Sequence, residues 1–356
     1  MYFLLVDLLG FNNLGQFEKV SWSIPVDLDG VAHLIEHRKF GVGVFIQNKD
    51  TDEPQAQRIV SLVSKGVRAA APFFKWMAEA AIQNDKLNVQ NASNRLFARF
   101  LYFRDAFLAA TVEVAALRKD DQAERKQREL SIYWNRSVKN AQNLSLREKI
   151  EKFKSPTMRT SEKASWLALG VIDAFFSWTE HVFIHIAILQ GNITTGSQLK
   201  ELVGAEWGTK YKAVFDLGDK EAKKYFDELS MLRRQLRNFV AHGAFGKEGE
   251  AFRFHSGAGA VPVVLDYSRA KPQFSLSPEL WFDDETAITV IRKFVDYLWT
   301  GRRAPARIYI EESELPLILT RAADGSYSAA MTSVDDMREF VEHLEAEFDR
   351  AADMDW

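Results

Sequence analysis

The sequence predicts a mainly α fold: an up-and-down helical bundle with additional N-terminal helices and small β-hairpin elements. Long stretches of the chain repeat apolar residues at three- and four-residue steps, the period of an amphipathic helix. Runs of β-type residues are short and lie mostly near the two ends. The chain has 356 residues, 47% hydrophobic and 27% charged, with a net charge of −3. That is the composition of a folded soluble protein with room for more than one domain. No global field draws it to nucleic acid, so any RNA site must be a local patch. Cysteine is absent, which excludes disulfides, thiolate metal sites and cysteine nucleophiles.

The organisation read from the sequence has four parts: an N-terminal α/β segment over 1–85, a helical and locally basic arm over 86–160, a helical bundle over 161–302, and a β-hairpin with an acidic helix over 303–356. In the first part Phe3–Leu9 and Val42–Ile46 read as strands, with Asp27-Leu28-Asp29-Gly30 as a loop between them. Gly41-Val42-Gly43 is too little for a phosphate loop, because no lysine-serine pair follows it. His33 and His37 lack a third ligand nearby and read as surface histidines. The opening residues lack a basic stretch and are broken by Asp7, so no signal peptide is expected and the cytoplasm is the expected location. The run Phe100–Leu117 carries Arg104, Asp105 and Glu113, which argues against a membrane span there.

From Glu53 to about Asp85 the apolar residues fit one face of a long helix. A second helix follows Ser93 and is apolar on more than one face, as expected of a centrally buried element. Its cluster Phe97, Phe100, Tyr102, Phe103 and Phe107 has helical spacing, so it predicts core packing rather than a base-stacking platform. Residues 118–163 hold 13 Lys and Arg against seven Asp and Glu. Two readings fit that stretch: an exposed helical pair laced with salt bridges, or a basic arm that holds a phosphate backbone. Arg136 and Lys139 are its RNA-binding candidates.

Ser161–Gln190 reads as one long helix, with Trp166, Leu169, Val171, Ala174, Phe175, Trp178, Val182, Ile186 and Leu189 facing a core. His181 and His185 are four apart, but Glu180 points off their shared face, so no metal is expected there. A shorter helix falls around Gly196–Val203, followed by a connecting stretch, and Asp219 caps the next helix. Ala251–Phe254 and Val261–Leu265 read as a short hairpin, and Glu285–Leu298 as a closing helix. In the tail, Arg307–Ile310 and Pro316–Thr320 read as strands, Asp324-Gly325 as a hairpin turn, and Val334–Met354 as an acidic helix.

The most informative stretch closes the helix begun by Asp219: Arg233-Arg234-Gln235-Leu236-Arg237-Asn238-Phe239-Val240-Ala241-His242-Gly243. Tyr225, Phe226, Leu229, Leu232, Leu236, Phe239 and Val240 draw one apolar stripe. Arg237, Asn238 and His242 lie off it, and Gly243 is a good helix stop. A structural reading is available: a cationic side chain placed favourably against the C-terminal end of the helix dipole.

Arg237-Asn238-Phe239-Val240-Ala241-His242-Gly243 also resembles the R-x4–6-H motif of the HEPN superfamily, over roughly residues 160–302. The resemblance implies a metal-independent endoribonuclease with no cofactor, cutting single-stranded RNA at a composite site in a homodimer. It implies His242 as acid/base, Arg237 as phosphate clamp, Asn238 as an orienting group and Glu180 as a supporting partner from the opposite helix. Arg233 and Arg234 are added as RNA-binding candidates from the same helix. It further implies a toxin or antiviral-defence effector, with an antitoxin or defence-system protein as partner and no membrane. The alternative is a HEPN bundle used as a non-catalytic scaffold or partner-binding subunit. The family subgroup with a tyrosine two positions past the histidine is not matched, because that position is Ala244.

Overall fold

The computed structural model describes residues 1–46, 49–125, 156–242, 250–256, 259–266, 273–275 and 284–352. Side chains of 49–52, 120–125, 235–242, 250–275 and 351–352 lie outside the description. The protein is mostly helical, and it divides into two compact units. The first unit comprises 1–87, 195–197 and 338–356; the second comprises 88–194 and 198–337.

In the first unit three antiparallel strands, β1 (Val20–Leu28), β2 (Val31–Arg38) and β3 (Gly41–Phe45), form a meander. The expected loop at 27–30 is the β1–β2 hairpin itself. Asp29 and Gly30 both take positive φ, 59° and 83°. Two such residues make the primed turn whose twist matches the flanking strands, and Asp-Gly suits it. Ile24 and Ile35 pair across the strands and join Leu5 and Ile59 in a small core. Ser23 and Glu36 form the neighbouring buried pair. The Glu36 carboxylate accepts from Ser23 Oγ at 3.1 Å and Arg38 Nε at 2.7 Å, so this buried charge is satisfied.

Several expectations here are corrected. His33 is buried rather than at the surface, with Nε2 3.0 Å from Gln55 Oε1. His37 is half-buried, bonded to Ser21 and stacked on Trp22. Strand alternation puts both on the side that faces the next helix. Phe3–Leu8 is a π-helical turn, not a strand. Adjacent Leu4 and Leu5 are both buried there, whereas a strand would send them to opposite faces. The long helix breaks at Ala70 into α1 (Lys49–Ala69) and α2 (Ala71–Gln83).

In the second unit α3 (Ser93–Arg125) and α4 (Pro156–Leu189) pack along each other as an antiparallel pair. Phe97 meets Trp178, Phe100 meets Phe175, and Phe103 lies against Gly170, where an added Cβ would stand 2.8 Å from the ring. The aromatic cluster is therefore core packing, but α3 is not buried all round: Tyr102 is 70% and Val112 71% exposed. Trp166, expected in the core, is 66% exposed. α4 is instead the central helix, and every residue from Val182 to Leu189 is buried. It is long and apolar enough by composition to cross a membrane, yet 56% of its most apolar window is buried inside the fold.

Around α4 stand α5 (Gly196–Gly204), α6 (Trp207–Lys212), α7 (Lys220–His242) and α8 (Asp284–Leu298). Trp207, Tyr211, Phe183, Phe215 and Phe294 interlock between them at ring distances of 4.3–6.2 Å. The polar tips of the buried rings find partners. Trp178 donates to Ser93 Oγ, Trp207 to Thr179 Oγ1 and Tyr211 to the Ala222 carbonyl. Asp219 accepts from the Glu221 N–H at 3.0 Å, the cap expected at the start of α7. β5 (Glu250–Ser256) and β6 (Gly259–Asp266) form the expected hairpin, with β7 (Gln273–Ser275) as a third strand.

The tail is helical where strands were expected. After α9 (Ala304–Arg307), Ile308–Glu312 is a π-helical turn with Ile308, Tyr309 and Ile310 all buried, a consecutive burial no half-exposed strand supports. Only Leu317–Ile318 (β8) extends, pairing with Asn88–Val89 (β4). Asp324-Gly325 joins two short helices, α10 (Leu319–Ala323) and α11 (Ser326–Ala330), because the Asp324 carboxylate caps the second through the Ser326 N–H. α12 (Val334–Ala352) ends the described chain.

Trp178 is fully buried and touches α3 and α4 rings together. Trp178→Ala is expected to cost about 3–5 kcal/mol, read as a lowered urea midpoint.

Candidate functional site

α7 has two working faces. Ala222, Leu229 and Leu232 pack into the core, whereas Phe226, Ser230, Arg233 and Arg234 line a cleft of about 800 Å³. Steps of three and four residues keep each set on one side of the helix. α4 supplies the opposite wall with Asp173, Phe176, Ser177 and Glu180, and α6 with its N-cap the third with Glu206, Trp207, Gly208, Thr209 and Lys212.

Glu180 holds the walls together. Its Oε1 accepts from Arg233 at 2.7 Å and its Oε2 from Lys210 Nζ at 3.0 Å. Lys210 is a buried cation, its side chain 7% exposed, while Arg233 is 38% exposed at the cleft. The Arg233 guanidinium also lies over the Phe176 ring, and Lys212 Nζ over Phe226. Ser177, Thr209 and Ser230 line the cleft with no intramolecular partner for their hydroxyls among the described residues. Together these groups offer cations, carboxylates and hydroxyls around an aromatic floor, a site suited to a polar, charged ligand.

Of the candidates read from the sequence, Glu180, Arg233 and Arg234 meet at this cleft. The backbone of α7 runs unbroken through Arg237, Asn238 and His242, whose side chains lie outside the described residues. Arg237 follows Arg233 by four residues, which puts it on the same helical side one turn on. The end of α4 bonds Ala213, and Tyr211 bonds the start of α7, so α4 and α7 run antiparallel. Arg136 and Lys139 lie outside the described residues. Asp173, Lys210 and Lys212 were missed in the sequence: α6 read as a connecting stretch, and an apolar-stripe analysis leaves Asp173 as an ordinary exposed acid.

His181 and His185 are bound up in structure. His181 Nε2 accepts the Ala92 N–H at 2.9 Å, and His185 Nδ1 lies 2.9 Å from the His181 carbonyl. Among the described residues no group of three His, Cys, Asp or Glu is arranged to hold a metal. Burial, then the neighbouring His185 and Arg95, push the His181 pKa down to about 3. Burial also lowers His185, against the opposing pull of the His181 carbonyl.

Compared with protein-family models, curated proteins and solved structures, the chain matches none.

The histidine pair makes stability depend on pH. An imidazole that titrates near 6.5 when unfolded and near 3 when folded stabilises the fold above about pH 6.5. That contribution drains away as the pH falls toward 3. Melting temperature should therefore drop between pH 7 and 4, and drop less in His181→Gln, whose amide oxygen still accepts the Ala92 N–H.

Proposed function

We propose that this protein is a metal-independent endoribonuclease of HEPN type, its second unit an up-and-down HEPN-like bundle that works as a homodimer on single-stranded RNA. The observation that carries the reading is the course of α7. One unbroken helix holds Arg233, Arg237, Asn238 and His242, and its cleft side meets Glu180 on the antiparallel α4. Those are the residue types and the helix-end placement that the family motif requires. By the same resemblance the protein serves as a toxin or antiviral-defence effector, with an antitoxin or defence-system protein as partner.

The chemistry needs one group to take the 2′-hydroxyl proton, one to protonate the leaving 5′-oxygen, and a cation on the phosphate. Histidine suits both proton roles because it titrates near working pH. Arginine's planar fork matches two phosphate oxygens. The 2′-oxygen attacks phosphorus, the bond to the 5′-oxygen breaks, and the products are a 2′,3′-cyclic phosphate and a 5′-hydroxyl. One chain brings one motif histidine, so two copies provide both proton-transfer groups. A non-catalytic scaffold is the alternative, favoured by the full engagement of both Glu180 oxygens in ion pairs.

Purified protein should cut single-stranded RNA in EDTA and leave cyclic phosphate ends. His242→Ala should lower that rate by roughly 100-fold or more, the usual scale for an acid/base group, without loss of helical circular dichroism. Arg237→Ala should lower it comparably and weaken RNA binding. Equal cutting by wild type and His242→Ala would hand the chain to the scaffold reading. Light scattering at micromolar concentration should report a dimer; a fully active monomer would contradict the composite site.

A further inference from the structure

We propose that Lys210, Glu180 and Arg233 form a charge-setting device in which Arg233 receives a second RNA phosphate beside the cut, and Lys210 is a positioning residue for it. This deepens the RNA reading above and rests on it.

Glu180 serves two cations at once, one oxygen each. Lys210 is buried and has no other charge partner among the described residues. A buried ammonium without a carboxylate is strongly penalised, so Glu180 is committed to Lys210. Arg233 reaches the same carboxylate from the open side. One carboxylate between two cations leaves a surplus of one positive charge, and the exposed member carries it.

Arg233 also has donors to spare. Only one of its terminal nitrogens is bonded to Glu180, which leaves the rest of the guanidinium fork for an anion. The unpartnered hydroxyls of Ser177 and Ser230 line the same walls. A phosphodiester fits this set: a single negative charge, two free acceptor oxygens, and ribose oxygens for hydroxyls to meet. Its position fits too. Arg233 precedes Arg237 by four residues, about 6 Å of rise, so a strand held at one can continue to the other. Glu180 then acts as a counter-ion that keeps Arg233 extended and moderates its hold on the strand.

The proposal makes predictions of opposite sign for two members of one ion cluster. Binding of a labelled 2′-O-methyl single-stranded oligonucleotide, which lacks the attacking hydroxyl, is measured across salt with the full chain. Lys210→Met takes the cluster from +1 to 0 and should weaken binding several-fold. Glu180→Gln takes it to +2 and should tighten binding several-fold at low salt. The double variant Lys210→Met/Glu180→Gln removes the unpaired buried charge, returns the cluster to +1, and should bind close to wild type. Arg233→Ala should weaken binding and shrink the salt slope by about 0.7, the value of one phosphate contact on a single strand; Arg233→Lys should restore part of it. Thermal melts identify folded variants, and the double variant carries the test if either single one unfolds. Weakened binding in the folded Glu180→Gln or in the double variant would overturn the proposal, since a purely structural cluster behaves that way. Displacement of the oligonucleotide by polyglutamate as readily as by unlabelled strand would assign the cleft to an acidic protein and overturn it too. If wild type binds no RNA, the RNA reading and this proposal fall together. If binding follows the predicted signs but no strand is cut, only the nuclease reading falls.

Discussion

The constraint on which the second unit depends is the burial on every side of the last two turns of α4. From Val182 to Leu189 every residue is buried. A helix buried on every side cannot stand at the edge of a fold; it must be enclosed by other elements. α3, α6, α7 and α8 meet that demand with aromatic rings, and the tips of those rings are satisfied one by one by Ser93, Thr179 and the Ala222 carbonyl. The cost of leaving an indole or phenol donor unpaired in such a core fixes their orientation as firmly as packing does.

The same constraint explains where polar chemistry is allowed. Glu180 stands just before the fully buried run, where α4 first meets open space. A carboxylate at that boundary is partly desolvated, so it is stable only with partners close by, and α6 and α7 each deliver a cation. α6 is two turns long and its Lys210 is buried, an arrangement tolerable only because the carboxylate is there first. The cleft is therefore a consequence of the core: three helices converge on one acid, and the space between their polar faces remains open.

Legibility in the sequence followed the amount of repeated pattern. The stripe of α7, the run of α4 and the short amphipathic α8 carry enough periods for 3.6-residue spacing to be unmistakable, and all three stand within a few residues of where they were read. Short apolar runs carried no such information. Leu4-Leu5 and Ile308-Tyr309-Ile310 have β-type composition, yet burial of adjacent residues made them π-helical turns. Asp324-Gly325 is an equally good hairpin turn or helix cap, and only the residues that follow decide between them. The strands β1 and β2 went unread because both faces of their sheet bury residues, Ile24 and Ile35 on one side, Ser23 and Glu36 on the other. Two buried faces erase the alternation that marks a strand.

The candidate site divides along the same line. Arg233, Arg234 and Glu180 were legible because each belongs to a long helix whose phase could be computed from the sequence. Lys210 was not, since six residues with two lysines and two aromatics show no period, and nothing in them foretells that one lysine is buried and the other exposed. That distinction is made by Glu180, thirty residues earlier in the chain and 3.0 Å away in space. The acid that a helix-phase argument marks as a supporting partner turns out to have two claimants of unequal burial. Unequal burial gives the cluster a direction: the enclosed lysine holds the acid in place, and the exposed arginine, on the side of α7 that leads to Arg237, is left to face the cleft.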